Sequence, residues 1–379
     1  MKGKKSMKFT VKKNEIIAAM SNIQGLTGRK SNLVITSSIL LNATKDGITI
    51  SATDLETGFE GSYQAAVESE GAIAINARKF YEIIKEFPSD EILVNEVANQ
   101  WIQIGNENIE YHISGMHPDD FPTLPEFEDV DFFEVESEPF KRMIEHVTAI
   151  GFSDDKRAHI VGAYVEKIES DGNELIIRMV STDGSRLAKS DINLGKDITI
   201  NFHNGIIVPK KGLSDVCKFL DSKNPVQIGC NSNYFIVKKS SETIIIRLLE
   251  GEFPKYQDII KKADEANVII LNRQLFLMML KRMSILTSDS YRGVIFNFSD
   301  DKLLISSTNP DIGESREEMI IGFSGDPIEV AFNSRYFMES LNVMDDDKVY
   351  LNIVDAERPC LIEGETDKNY LSVIMPMRI

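Results

Sequence analysis

The sequence predicts an α+β protein built from three repeated domains, each with two helices on mostly antiparallel sheet. Two observations carry this. An apolar set at positions 0, 3, 4 and 7 recurs six times along the 379 residues, the spacing that gives a helix one buried face. Between these sets lie short alternating runs bounded by Asp-Gly or Asp-Asp, which are hairpin signals.

The six sets form three pairs. The first members are Ile16/Ala19/Met20/Ile23, Phe140/Met143/Ile144/Val147 and Phe276/Met279/Leu280/Met283. The second are Phe80/Ile83/Ile84/Phe87, Leu213/Val216/Cys217/Leu220 and Phe337/Ser340/Leu341/Met344, with Ser340 the single polar member. Corresponding anchors are 124 and 136 residues apart for the first helices, and 133 and 124 for the second. The repeating unit is therefore a whole domain, not a solenoid turn.

A short β run precedes each helix, at 9–11, 73–75, 133–135, 206–208, 268–271 and 328–332. Asn76, Asn272 and Asn333 then stand where N-caps belong, and Pro139 suits a first helical turn. Between the two helices of each third, a strand ends in a similar tripeptide: Ala52-Thr53-Asp54, Ser181-Thr182-Asp183 and Ser307-Thr308-Asn309. Further strand pairs follow the second helices, at 91–97 with 101–104, 225–229 with 234–238, and 349–354 with 360–363. Asp119-Asp120-Phe121-Pro122 and Glu252-Phe253-Pro254 close the first two thirds. The expected domains are 1–127, 128–262 and 263–379.

A hydrophobic content of 42% suffices for three separate cores. No stretch approaches the roughly 20 apolar residues of a membrane span. The leading Met1-Lys2-Gly3-Lys4-Lys5-Ser6 has no apolar run after it, so neither a signal peptide nor a membrane association is expected, and the cytoplasm is the expected compartment. Cys217, Cys230 and Cys360 lie far apart on apolar patterns and read as buried free thiols. The histidines at 112, 117, 146, 159 and 203 have no ligand spacing. The acidic clusters Asp154-Asp155 and Asp345-Asp346-Asp347 follow helices, where acidic turns are common. Val208-Pro209-Lys210-Lys211-Gly212 lacks the glycines of a phosphate loop. No metal, no cofactor and no enzymatic activity are expected.

The net charge of −17 is unevenly distributed. The six helices and their flanks (12–30, 78–87, 138–157, 210–223, 273–292 and 334–344) carry +9 together, which leaves −26 on the remainder. Lys85, Lys218 and Lys281 each stand five places after an apolar anchor, about 140° round the helix from it. Lys141, Arg142 and Arg282 also fall off the buried stripe. Cationic helices lining a concave face, with acidic sheet outside, would suit duplex DNA held loosely. Domains joined head to tail in a closing arc make a ring, which can hold DNA topologically.

Five segments then match a known family. Met7-Lys8-Phe9-Thr10-Val11, Ala52-Thr53-Asp54-Leu55-Glu56, Ser181-Thr182-Asp183-Gly184-Ser185-Arg186-Leu187-Ala188, Gly251-Glu252-Phe253-Pro254-Lys255-Tyr256 and Val373-Ile374-Met375-Pro376-Met377-Arg378-Ile379 resemble the bacterial DNA polymerase III beta subunit, the beta sliding clamp. The resemblance runs in order from Met7 to Ile379. It implies the DNA clamp fold, a head-to-tail homodimer that closes around double-stranded DNA without sequence specificity. It also implies a role as processivity factor, with loading by a clamp loader and tethering of the replicative polymerase's catalytic subunit. Other clamp-binding polymerases and repair proteins would share the same cleft.

By the resemblance, the partner-peptide cleft lies between the second and third domains and uses Ile160, Thr182, Gly184, Ser185, Arg186, Leu187, Pro254, Ile259, Val373, Met375, Pro376, Met377, Arg378 and Ile379. The run Val-Ile-Met-Pro-Met-Arg-Ile is unusually apolar for a terminus, and its methionines suit an adaptable binding surface. DNA-facing positions would be Arg29, Lys30, Lys85, Lys141, Arg142, Arg157, Lys211, Lys218, Lys281 and Arg282. The dimer contact would set Tyr111 and Ile113 against Ile285 and Leu286 of the other subunit. The chain departs from the family pattern in places. Gln257-Asp258 stand where the family often has basic residues, Ser185 where some relatives carry His, and Ala158-His159 where aromatic residues often follow Arg157. The rival reading is a three-repeat protein-binding scaffold that does not encircle DNA.

Overall fold

A computed structural model describes residues 6–28, 34–127, 130–151, 157–170, 172–196, 205–221, 224–260, 267–287 and 293–377. All six expected helices are present: α1 (Lys13–Thr27), α2 (Ala77–Glu86), α3 (Ser137–Thr148), then, after a four-residue α4 (Ala158–Val161), α5 (Lys210–Phe219). Another four-residue turn, α6 (Gln257–Ile260), precedes α7 (Arg273–Met283) and α8 (Ser334–Asn342). Each apolar stripe faces a core, with Ile16, Met20, Phe80, Ile84, Phe140, Ile144, Leu213, Val216, Phe276, Leu280, Phe337 and Leu341 all buried. Ser340 keeps its place in the stripe because its hydroxyl lies 2.7 Å from that of Ser372. Buried without such a partner, it would cost about 1–3 kcal/mol.

The caps are as the residue types suggest. Asn76 Oδ1 accepts from Lys79 N, Asn272 Oδ1 from Leu275 N, and Asn333 Oδ1 from Arg335 N. Each bond satisfies an amide that the first helical turn leaves open.

The recurring tripeptide is the start of one turn built alike in two repeats. Asp54 Oδ1 accepts from the amides of Glu56 and Thr57, while Thr53 Oγ1 donates to Thr57 O and accepts from Leu55 N. Asp183 Oδ1 accepts from Ser185 and Arg186, while Thr182 Oγ1 donates to Arg186 O and accepts from Gly184 N. The residue after Asp has a left-handed backbone, φ +77° at Leu55 and +89° at Gly184. Glycine adopts that conformation freely, and leucine is strained there.

Packing gathers the chain into two compact units, 1–138 with 199–202 and 212–248, and 139–198 with 203–211 and 249–379. These are not the sequence thirds, because the second third contributes to both. In the first unit, a thirteen-stranded sheet runs through both repeats where Glu242–Arg247 pairs antiparallel with Thr57–Tyr63. In the second, an eight-stranded sheet joins Arg186–Gly195 to Tyr370–Ile374, again antiparallel. A four-stranded sheet ends on the strand Gly313–Ile320. The segment around Glu252-Phe253-Pro254 is packed rather than tether-like: Phe253 stacks on Tyr164 at 5.0 Å, and Tyr256 beside it is buried.

Cys360 is buried, whereas Cys217 and Cys230 are half-buried free thiols. Burial still pushes the Cys230 thiol up to about 11. Asp154-Asp155 lies outside the described residues. In the other acidic cluster, Asp346 accepts from Thr366 N, Thr366 Oγ1 and Asp367 N, so it organises a turn. No described helix is long and apolar enough to cross a membrane.

Candidate functional site

The second unit brings three of the expected cleft residues, Leu187, Val373 and Ile259, into one apolar cluster. Leu187, Val373, Val180, Tyr256, Leu361 and Leu371 form one buried apolar cluster, with Ile259 and Phe253 packed partly buried against it. Sheet pairing makes this possible, because Leu187 lies directly opposite Val373. Tyr256 pins the segment that carries Pro254 and Ile259. Its ring is buried, and its hydroxyl bonds Glu166 and lies 3.4 Å from Arg178 Nη1. Burial, with the Glu166 contact, drives that phenol well above its usual range.

The end of the chain runs along the edge of this cluster. Met375 N donates to Ser185 O at 2.9 Å, and Met377 N donates to Ala331 O at 2.8 Å. Met375 and Met377, just past the strand Tyr370–Ile374, stay 37% and 38% exposed. Pro254 is exposed and Ile160 buried on α4. Thr182, Gly184 and Ser185 build the turn described above rather than an apolar wall. Arg378 and Ile379 lie outside the described residues.

Arg186 is almost fully buried and fully engaged. Its Nε is 3.0 Å from Asp183 Oδ2, its Nη1 is 2.5 Å from Glu339 Oε2, and its guanidinium lies 4.3 Å from the Tyr336 ring centroid. A buried guanidinium is tolerated only when paired in this way. Asp183, Tyr336 and Glu339 therefore hold Arg186 in place. Sequence reasoning did not select them, since only folding brings α8 to a turn some 150 residues upstream; the one available signal was the Thr-Asp motif.

The helix cations sort into two groups. Lys85, Lys211, Lys218 and Lys281 are exposed on α2, α5 and α7. Lys218 stands 3.9 Å from the buried Asp215. Arg142, by contrast, is held by Asp345 and lies 3.9 Å from Asp367, and Arg282 is held by Glu317 on the strand Gly313–Ile320. Lys141 is half-buried, Arg157 is exposed, and Arg29 and Lys30 lie outside the described residues.

For the dimer positions, the strand Glu110–Met116 pairs along Trp101–Gly105, with Tyr111 opposite Ile104 and Ile113 opposite Ile102. On its other side only Gly115 and Met116 are paired, among the described residues. Tyr111 is 42% and Ile285 73% exposed, while Ile113 and Leu286 are half-buried.

Solved structures share this architecture. The sliding clamp of Bartonella birtlesii, crystallised with griselimycin, superposes with a TM-score of 0.90 at 26% identity, covering 99% of this chain and 100% of that one. The Bacillus subtilis clamp superposes at 0.89 and 23% identity over 99% and 100%. The fold is thus that of the DNA clamps: α+β domains of paired helices on antiparallel sheet. The family model of the DNA polymerase III beta subunit matches by its N-terminal domain at 7–125, its central domain at 134–255 and its C-terminal domain at 261–378. The chain belongs to the DNA polymerase III beta subunit family. The beta sliding clamps of Chlamydia pneumoniae and Escherichia coli are 27% and 26% identical to it, each over 98% of this chain and 99% and 100% of their own length.

Proposed function

We propose that this chain is a DNA polymerase processivity factor, a sliding clamp that closes around duplex DNA as a head-to-tail homodimer and catalyses nothing itself. The observation that carries this reading is the ordered match of all three family domains, 7–378. The exposed lysines of α2, α5 and α7 support it, since a cationic wall around DNA needs no base contacts. The domains are taken as 1–127, 128–262 and 263–379. A clamp loader would open the ring, and the replicative polymerase and other clamp-binding proteins would dock in the cleft between the second and third domains. The work belongs in the cytoplasm, where a bacterial chromosome is copied.

Two open strand edges support head-to-tail closure. Residues 110–114 expose one edge in the first repeat, and the strand Gly313–Ile320 ends the sheet of the third. Unpaired edges of this kind invite pairing with another chain. Tyr111 and Ile113 of one subunit would then meet Ile285 and Leu286 of the other.

Retention on circular and linear duplex distinguishes this function from a scaffold that binds partners without encircling DNA. After loading, the protein is expected to stay on nicked circles and to run off linear ends within the same gel-filtration run. Equal retention on both forms would establish the scaffold reading.

A further inference from the structure

A groove of about 790 Å³ lies wholly within the first unit. Its floor is one row of residues facing each other across four strands: Leu40 opposite Ser51, Ser51 opposite Glu60, and Glu60 opposite Thr243. Its wall is the segment 118–127, with prolines at 118, 122 and 125. Gly58 lets that wall close on the sheet, since a Cβ there would lie 2.7 Å from Leu124 Cδ2. Leu124 is only half-buried, so the space beside Leu40, Phe121 and Ile245 stays open. Among the described residues, 122–127 make no hydrogen bond, which leaves their backbone donors and acceptors available. Glu60 and Glu126 are exposed in the lining, and the one bond described for either is from Ser51 Oγ to Glu60 Oε2 at 3.3 Å. No described lysine or arginine lines the groove. Lys238, beside its Phe127 end, has its ammonium over the Phe127 and Phe132 rings, at 4.8 and 3.7 Å.

We propose that this groove binds an extended, basic peptide segment of a partner protein, with an apolar side chain against Leu40, Leu124 and Ile245 and a lysine or arginine against Glu60. The volume is that of a site which encloses a few side chains. The unbonded backbone of 122–127 offers an extended chain main-chain hydrogen bonds, which give affinity without regard to sequence. The unpaired carboxylates set the sign, because complementary charge selects partners and fixes register more than it adds raw affinity. The internal repeat shows why the opening lies here. Ile245 stands opposite Gly58 as Val373 stands opposite Leu187, and Arg247 N donates to Glu56 O as Met375 N donates to Ser185 O. Phe121-Pro122 likewise precedes Leu124 as Phe253-Pro254 precedes Tyr256. In the second unit Leu187 and Tyr256 are both buried in one cluster, whereas in the first a glycine and a half-buried leucine leave that space unfilled.

The test uses the full chain and two labelled short peptides with the same photoreactive leucines, one rich in lysine and the other in glutamate. Fluorescence anisotropy should show the lysine peptide binding about fivefold tighter at low salt, the size that a few exposed charge pairs give. That advantage should shrink at high salt. The double variant Glu60→Lys, Glu126→Lys, at exposed positions, should abolish it. Irradiation should crosslink the lysine peptide to the segments 118–127 or 40–60, mapped by mass spectrometry. Removal of 375–379 should leave this binding unchanged, which separates the groove from the cleft proposed above. Equal binding of the two peptides, an unchanged preference in the double variant, crosslinks confined to other segments, or loss of binding on removal of 375–379 would each overturn the proposal.

Discussion

At residue scale, His146 links the second repeat to the third by a group that must stay neutral. Its ring stacks on Tyr370 at 4.3 Å, and Nδ1 lies 3.0 Å from Ser190 Oγ. Burial, opposed by Asp367 and reinforced by Arg142, lowers its pKa to about 4. A base with a folded pKa below its unfolded value near 6.5 binds fewer protons when folded. Stability is therefore full above about 6.5 and declines as pH falls from there to about 4, by about 3 kcal/mol from this one group. His146→Phe, which retains an aromatic ring on Tyr370, should flatten the fall in Tm between pH 6.5 and 4; an equally steep fall would assign it to other groups. Lys210 poses a related problem. It is fully buried, and its ammonium donates to Ile150 O and Gly151 O at 3.2 and 3.3 Å, just past the end of α3. Its pKa is lowered to about 8 by burial. In the sequence nothing sets it apart from Lys211, because residue type alone does not report which member of a Lys-Lys pair turns inward.

At the scale of elements, the turn after each repeat's long strand shows duplication and its divergence together. The second repeat has Gly184 at the left-handed position, where the first has Leu55 at φ +77°, half exposed. A leucine there is strained by about 1 kcal/mol, and it gains little from burial in return. Leu55→Gly should therefore raise stability by about 0.5–1 kcal/mol, measured by urea unfolding of the full chain; destabilisation would mean that the exposed leucine packs against something the turn geometry does not require. The helices tell a complementary story. Their apolar stripes were legible from spacing alone, since burial of one face is a local, periodic property. Their cationic faces were only half legible. Lys85 and Lys281 are exposed as expected, but Arg142 and Arg282 are held by Asp345, Asp367 and Glu317, which lie elsewhere in the sequence.

For the whole molecule, the expected consequence of the cationic faces is a loading defect when they are reversed. Changing Arg29, Lys30 and Lys85 to Glu should slow loading onto primed circles several-fold at low salt, with less effect at high salt, because each lost phosphate contact weakens binding and its salt dependence. Native mass spectrometry should still report a dimer. Normal loading of that variant would show these side chains to be solvated surface with no part in holding DNA. Arg142 is a poor site for such a test, since its removal would take from Asp345 and Asp367 the cation they share.

The sequence by itself determined the α+β class, the threefold repeat, the positions and buried faces of all six long helices, and the asparagine caps of three of them. Each of these depends on residues within a few positions of one another. Family likeness added the cleft and the dimer positions as expectations. Only the tertiary structure decided which strand edges join, so that the second repeat is divided between two packed units. It likewise decided that Arg186 would be locked between Asp183 and Glu339. Such outcomes depend on pairs far apart in the chain. Spacing can place a side chain on a face, but the partner waiting there is set by the fold.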